Sequence, residues 1–150
     1  MNTVKTIEVE GEQEMRRVGE NLGALLKGGE SIELVGDVGA GKTTFVKGIA
    51  RGLLVDEDVQ SPSFTISRVY DARDDLQLAH YDFYRLSDPG IMANELAETT
   101  QDSMTITVIE WADIVEGVLP PRRLRIAITA PTENTRIVTI HDDDGILETL

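Results

Sequence analysis

The ten residues GDVGAGKTTF, Gly36–Phe45, constrain this chain more than any other stretch. Gly36, Asp37, Val38, Gly39, Ala40, Gly41, Lys42 and Thr43 fit the spacing G-x-x-x-x-G-K-[ST]. Glycines let the backbone turn without Cβ clashes, so successive N–H groups can point at a phosphate. A helix that starts at the end of such a loop adds its positive dipole end to the same anion. Lys42 would then reach the outer phosphates of a nucleoside triphosphate, and the Thr43 hydroxyl would be placed to ligate Mg²⁺. Thr44 completes the expected binding set. The plain alternative is a glycine-rich turn between a strand and a helix. The context favours the phosphate site, because the apolar run SIELV precedes the loop and the amphipathic run TTFVKGIARGLL follows it.

Periodicity supplies the rest of the outline. TIEV (6–9) alternates like a short strand, and 12–27 turns helical, with Met15, Val18, Leu22, Leu25 and Leu26 on one face. Gly28-Gly29 is expected to cap that helix. Strands are expected at 31–35, 64–70, 76–82, 105–110, 124–129 and 136–140, and helices at 43–54, 91–100 and 112–118. The turn DARDD pairs the strands at 64–70 and 76–82 as a hairpin, and the last two strands make another. Strands alternating with helices early, and hairpins late, predict a three-layer α/β domain. Its central sheet is expected to be mixed and mainly parallel, with antiparallel hairpins at the margins. The 150 residues suit one domain spanning 1–150. The acidic tail HDDDGILETL, about 141–150, is expected to fray.

Charge and composition narrow the partners. Lys plus Arg is 14 and Asp plus Glu is 27, so the net charge is −13. Affinity for a nucleic-acid backbone comes largely from Lys and Arg, so direct binding of DNA or RNA is disfavoured. Any RNA is expected to be held by a partner. There are no cysteines, which rules out disulfides and thiolate metal sites and fits a cytoplasmic location. The first residues, MNTVKTIEVEGEQEM, do not read as a signal peptide, and no apolar run approaches the about 18 residues that span a bilayer.

A phosphate-loop enzyme needs an acid at a neighbouring strand end to position Mg²⁺. Two expected strands end that way: TITVIE at Glu110, followed by Trp111, and LAHYD at Asp82. Glu110 follows a run of β-type residues where an unpaired buried charge would be costly, so function outweighs a solvated strand end there. His80 and Asp82 lie two apart and share a strand face, where they either flank a reacting water or form a structural hydrogen bond. Ser61 and Ser63 lie in a Pro-containing loop that is either a switch segment or an ordinary turn. Trp111, the lone tryptophan, is a core residue or a gate beside the metal acid. His141 reads as exposed.

Four motifs together resemble one family. SPSF (61–64) resembles its SPTF loop, HYDFYR (80–85) its H-x-D-x-Y-R motif and IEW (109–111) its E-W pair. With GDVGAGKTTF they occur in the family's order and spacing. The chain is therefore identified as resembling the TsaE (YjeE) family, over about Glu12 to Ile140. The resemblance implies a P-loop NTPase fold, with ATP and Mg²⁺ bound at the loop and Thr43 and Glu110 as metal ligands. It implies catalytic roles for Lys42, Asp82 and Glu110, and a nucleotide-side place for Arg136. It makes Ser61, Ser63, His80, Tyr84, Arg85 and Trp111 switch or partner candidates. It implies an ATPase that is weak alone and acts on a complex of TsaB-like and TsaD-like proteins. That complex modifies adenosine 37 of tRNAs reading codons that begin with A, and ATP hydrolysis resets it between turnovers. Ser63 stands where the family usually has Thr, and Met15 where a Thr is common.

Two other readings share the phosphate loop. A small-molecule kinase would need an acceptor site and an arginine-rich lid, yet the arginines after the loop are scattered, except for Arg122, Arg123 and Arg125. A nucleotide sensor without turnover would not need both Glu110 and Asp82.

Overall fold

The computed structural model describes residues 3–37, 39–60, 66–84, 86, 88, 90–142 and 145–147. Its strands are β1 (Thr3–Glu10), β2 (Ser31–Val35), β3 (Ser67–Asp71), β4 (Gln77–Asp82), β5 (Thr105–Glu110), β6 (Leu124–Thr129) and β7 (Thr135–Asp142). Its helices are α1 (Gly11–Leu25), α2 (Lys42–Gly52) and α3 (Gly90–Gln101), with a 3-10 segment at Ala112–Val118.

The strands form one sheet in the order β1-β7-β6-β2-β5-β4-β3. The contiguous set β6-β2-β5-β4 is parallel, and the outer pairs β1–β7, β7–β6 and β4–β3 are antiparallel. This is the expected mixed sheet with a parallel centre, and both expected hairpins form. β5 shows why the centre is parallel: all its residues are buried, as a strand covered on both faces requires.

Helices cover both faces. On one side Leu22, Leu26, Phe45, Ile49 and Leu53 of the α1–α2 layer pack with Ile32, Leu34, Leu78, Ile106 and Val108. On the other, Leu96 of α3 and Val115 pack with Ala79, Tyr81 and Ile109. Strand alternation therefore sends Leu78, His80 and Asp82 toward α1 and α2, and Ala79 and Tyr81 toward α3.

α1 and α2 lie parallel and unusually close. A Cβ on Gly48 would stand 2.3 Å from the Arg16 carbonyl oxygen, and one on Gly52 2.2 Å from that of Glu20. From the other side, a Cβ on Gly19 would stand 2.4 Å from the Phe45 oxygen, and one on Gly23 2.3 Å from that of Ile49. Backbone thus meets backbone along a glycine seam, and both helices begin at the same end of the sheet.

Three expectations are corrected. α1 stops at Leu25 with Leu26 as its C-cap, so Gly28-Gly29 lies beyond the cap. The orphan carbonyls of its last turn are taken by a side chain instead: Arg73 Nη2 donates to Gly23, Ala24 and Leu26 oxygens. The chain after 140 is also not frayed throughout. β7 continues to Asp142, which is fully buried and accepts the Ile146 and Leu147 N–H groups at 2.7 and 2.8 Å. Leu147 is buried in the main core, and His141, half-buried, pairs with Val4 and Arg125 across the sheet rather than standing exposed.

Candidate functional site

β2 ends at Val35, and the chain turns through the glycine loop into α2 at Lys42. The residue that makes this entry possible is Gly41, the N-cap, with φ +104°, a left-handed conformation that side chains oppose. Inside the loop Ala40 N–H donates to Asp37 O at 3.0 Å. The loop edges a cleft of about 630 Å³. Gly39, Gly41, Lys42, Thr43 and Thr44 form one wall, and Gly11, Glu12 and Met15 from the start of α1 form another. Asp82, Tyr84, Glu110 and Trp111 close the strand-end side, while Glu133, Asn134 and Arg136 close the rim.

Lys42 is buried and surrounded. Its Nζ donates to Gly36 O at 2.6 Å, lies 3.8 Å from Glu110 Oε1 and sits 4.0 Å from the centroid of the Trp111 ring. Burial lowers its pKa below the ordinary lysine value, and the negative charges of Glu110, Asp82 and Asp37 oppose that shift. Three carboxylates thus bear electrostatically on one ammonium.

The two strand-end acids stand side by side, because β4 and β5 are parallel with Asp82 in register with Glu110. Both are buried. Asp82 Oδ1 accepts the Tyr84 N–H at 3.0 Å, which pins the turn leaving β4. His80 does not take Asp82 as its partner. Its Nε2 lies 2.5 Å from Glu110 Oε2 across the strand pair, so the structural reading of the spacing is replaced by a cross-strand contact.

Trp111 turns the chain from β5 into the 3-10 segment with φ +55° and ψ +52°. That conformation is an outlier for a bulky residue, and such strain concentrates at functional sites. The turn lays its indole against Tyr84, ring centroids 4.8 Å apart, at the cleft mouth.

Arg136 lines the cleft, but its guanidinium is occupied by backbone. Nε donates to Ala40 O at 3.0 Å and Nη2 reaches Gly39 O, while Nη1 donates to the oxygens of Thr132, Glu133 and Thr135. It is a strut between the glycine loop and the β6–β7 turn. Gly11, Glu12 and the Glu133–Asn134 turn were not anticipated as lining. Gly11 N–H donates to Asn134 O at 3.1 Å, a pairing between distant segments that no local motif announces. Val38, Ser61, Ser63 and Arg85 lie outside the described residues.

Residues 9–138 match the model of the family described as threonylcarbamoyl adenosine biosynthesis protein TsaE. The chain belongs to the TsaE family of tRNA threonylcarbamoyladenosine biosynthesis. It is similar to the TsaE of Treponema pallidum, at 36% identity over 128 residues, covering 85% of this chain and 93% of that one. The Bacillus subtilis TsaE is likewise 36% identical over 128 residues, covering 85% of this chain and 78% of that one. The crystal structure of Bacillus subtilis YdiB superposes with a TM-score of 0.80 at 31% identity, covering 99% of this chain and 91% of that one. The TsaE match takes in the glycine loop, both strand-end acids, Trp111 and Arg136. Among the described residues no helix is long and apolar enough to cross a membrane.

Proposed function

We propose that this chain is the Mg²⁺-dependent ATP-hydrolysing subunit of threonylcarbamoyladenosine synthesis. In this reading it acts on a complex of TsaB-like and TsaD-like proteins that modifies adenosine 37 of tRNAs reading codons that begin with A. Hydrolysis allows the complex to turn over repeatedly and does not itself make the modified base. The observation that carries the reading is the meeting of Lys42 with Glu110, 3.8 Å apart, at a glycine loop that opens into the same cleft.

The donor set fits Mg²⁺. Thr43, Asp82 and Glu110 all line the cleft and offer only hard oxygens. Mg²⁺ is bound by one or two such groups together with substrate phosphates. Thr43 and Glu110 would hold it, and when bound it would neutralise charge developing on the phosphate oxygens. Lys42 would leave Gly36 O and Trp111 for the outer phosphates. Loop N–H groups at the start of α2 would hold the inner ones. Asp82, fixed by the Tyr84 N–H, would orient the attacking water beside Glu110. The net charge of −13 suits a protein that meets tRNA only through its partners.

A kinase reading lacks support at the cleft. Among the described lining residues the one arginine, Arg136, has its donors engaged by carbonyls and offers no lid.

The test is phosphate release from Mg-ATP by the pure protein, then with the TsaB-like and TsaD-like proteins plus tRNA. Slow release alone and clear stimulation by the partners are expected, and Lys42→Ala should abolish multiple-turnover modification. Stimulation by a metabolite instead of the partners would favour a kinase. A Lys42→Ala variant as competent as wild type would refute the proposal.

A further inference from the structure

β4 carries one residue that its surroundings do not explain. His80 lies in register between Val108 of β5 and Arg68 of β3, on the face that Leu78 lends to the core, and is fully buried. Among the described residues its Nδ1 has no hydrogen-bond partner. Its Nε2 lies 2.5 Å from Glu110 Oε2. A buried ring nitrogen without a partner is a cost that an aliphatic side chain at the same place would avoid. The ring's hydrogen bonding is therefore directed to one carboxylate oxygen.

That oxygen matters because of the other one. Glu110 reaches the cleft on a flexible stem whose terminal torsion is soft. With Oε2 held from the core side by His80, Oε1 is left facing Lys42 and the cleft. We propose that His80 is a positioning residue. Its Nε2–H donates to Glu110 Oε2 and presents Oε1 to a divalent cation that arrives with the nucleotide. This rests on the reading of Glu110 as a metal ligand. Partners behind a ligand commonly tune metal affinity by 10-fold or more.

The experiment is nucleotide binding, read with a fluorescent ATP analogue in MgCl₂ and again in EDTA. The measured quantity is the ratio of the two dissociation constants. In His80→Leu the EDTA value should match wild type, and the Mg²⁺ enhancement should fall by about 10-fold. His80→Gln places an amide N–H near the imidazole Nε2 and should recover most of it. A merely structural histidine would alter stability and leave the ratio unchanged. Undiminished enhancement in His80→Leu, alongside its loss in Glu110→Gln, overturns the positioning role alone. Undiminished enhancement in Glu110→Gln as well overturns the metal-ligand reading beneath it.

A second measurement needs no His80 variant. The chain has only two histidines, so ¹⁵N spectra of the imidazoles are readily assigned. His80 should show a protonated Nε2 with a strongly downfield hydrogen-bonded proton and a bare Nδ1, and Glu110→Gln should shift that proton upfield. An Nδ1–H ring, or one indifferent to Glu110→Gln, overturns the proposal.

Discussion

Lys42 Nζ stands 4.0 Å from the centre of the Trp111 ring, so the amine expected to meet phosphate rests against the only indole in the chain. Tryptophan emission is therefore expected to change as a nucleotide draws the ammonium away, and to saturate with binding. Lys42→Ala should abolish the response. With the ammonium buried, the contact is worth about 2 kcal/mol. Trp111→Leu should accordingly change nucleotide affinity by no more than about 30-fold. A loss of 100-fold by calorimetry would show that the indole touches the nucleotide directly.

Arg136 ties the glycine loop to the β6–β7 turn through a planar fork of donors. Lysine keeps the charge and loses the fork. Arg136→Lys is expected to cost about 1–2 kcal/mol in urea unfolding, toward the low end for bonds to a charged donor because the group is partly exposed. Nucleotide binding should weaken with it, since the carbonyls of Gly39 and Ala40 lose their anchor. A wild-type urea midpoint in Arg136→Lys would show that the strut is dispensable.

The glycine seam makes a sharper prediction. In Gly48→Ala the new methyl would meet the Arg16 carbonyl at 2.3 Å, and the atoms it meets are backbone, which cannot swing aside as a side chain could. Overpacking of this kind costs about 1–3 kcal/mol. Thermal unfolding should therefore drop by about 4–10 °C. Gly117→Ala is the control, because among the described residues nothing lies within 4 Å of the added carbon, and its midpoint should stay near wild type.

Alkaline stability should report on Tyr81. Its phenol is buried against the α3 layer and its oxygen lies 2.9 Å from Thr99 Oγ1. Burial raises its pKa above 10.0, the Thr99 hydrogen bond lowers it in part, and the Glu95 charge adds to the rise. The folded state therefore holds this proton more tightly than the unfolded chain. Its contribution is fully present below pH 10 and is lost as pH rises through the higher folded value. Between about pH 9 and pH 11 the urea midpoint of wild type should fall more steeply than that of Tyr81→Phe. Parallel slopes would refute the assignment.

Much of the scaffold was legible because its signals are local. β2, β5 and β6 fall at 31–35, 105–110 and 124–129 as the apolar runs predict, each bounded by a glycine, charged or proline-containing segment. The glycine loop and the helix behind it are equally plain. Three-dimensional coincidences were not. The pairing of β1 with β7 joins opposite ends of the chain, and nothing in TIEV names a partner. The cap on α1 comes from Arg73, about fifty positions later in the chain. The two glycine pairs at i, i+4, Gly19 with Gly23 and Gly48 with Gly52, were visible in the sequence, but only their facing one another gives them meaning. At the site, the acids were readable as strand ends. That His80 reaches Glu110 rather than Asp82 depends on strand register, which spacing along one strand cannot encode.

The seam between α1 and α2 also decides which parts of the cleft can adapt. Backbones in direct contact have no cushion of side chains to compress, so the two helices move as one block. Because both start at the cleft, the gap from Gly11, Glu12 and Met15 to the glycine loop is a fixed gauge, set when the chain folds. Whatever fits there must match a preset width. Adjustment is left to the opposite jaw, where Trp111 and Tyr84 lean on each other at the mouth.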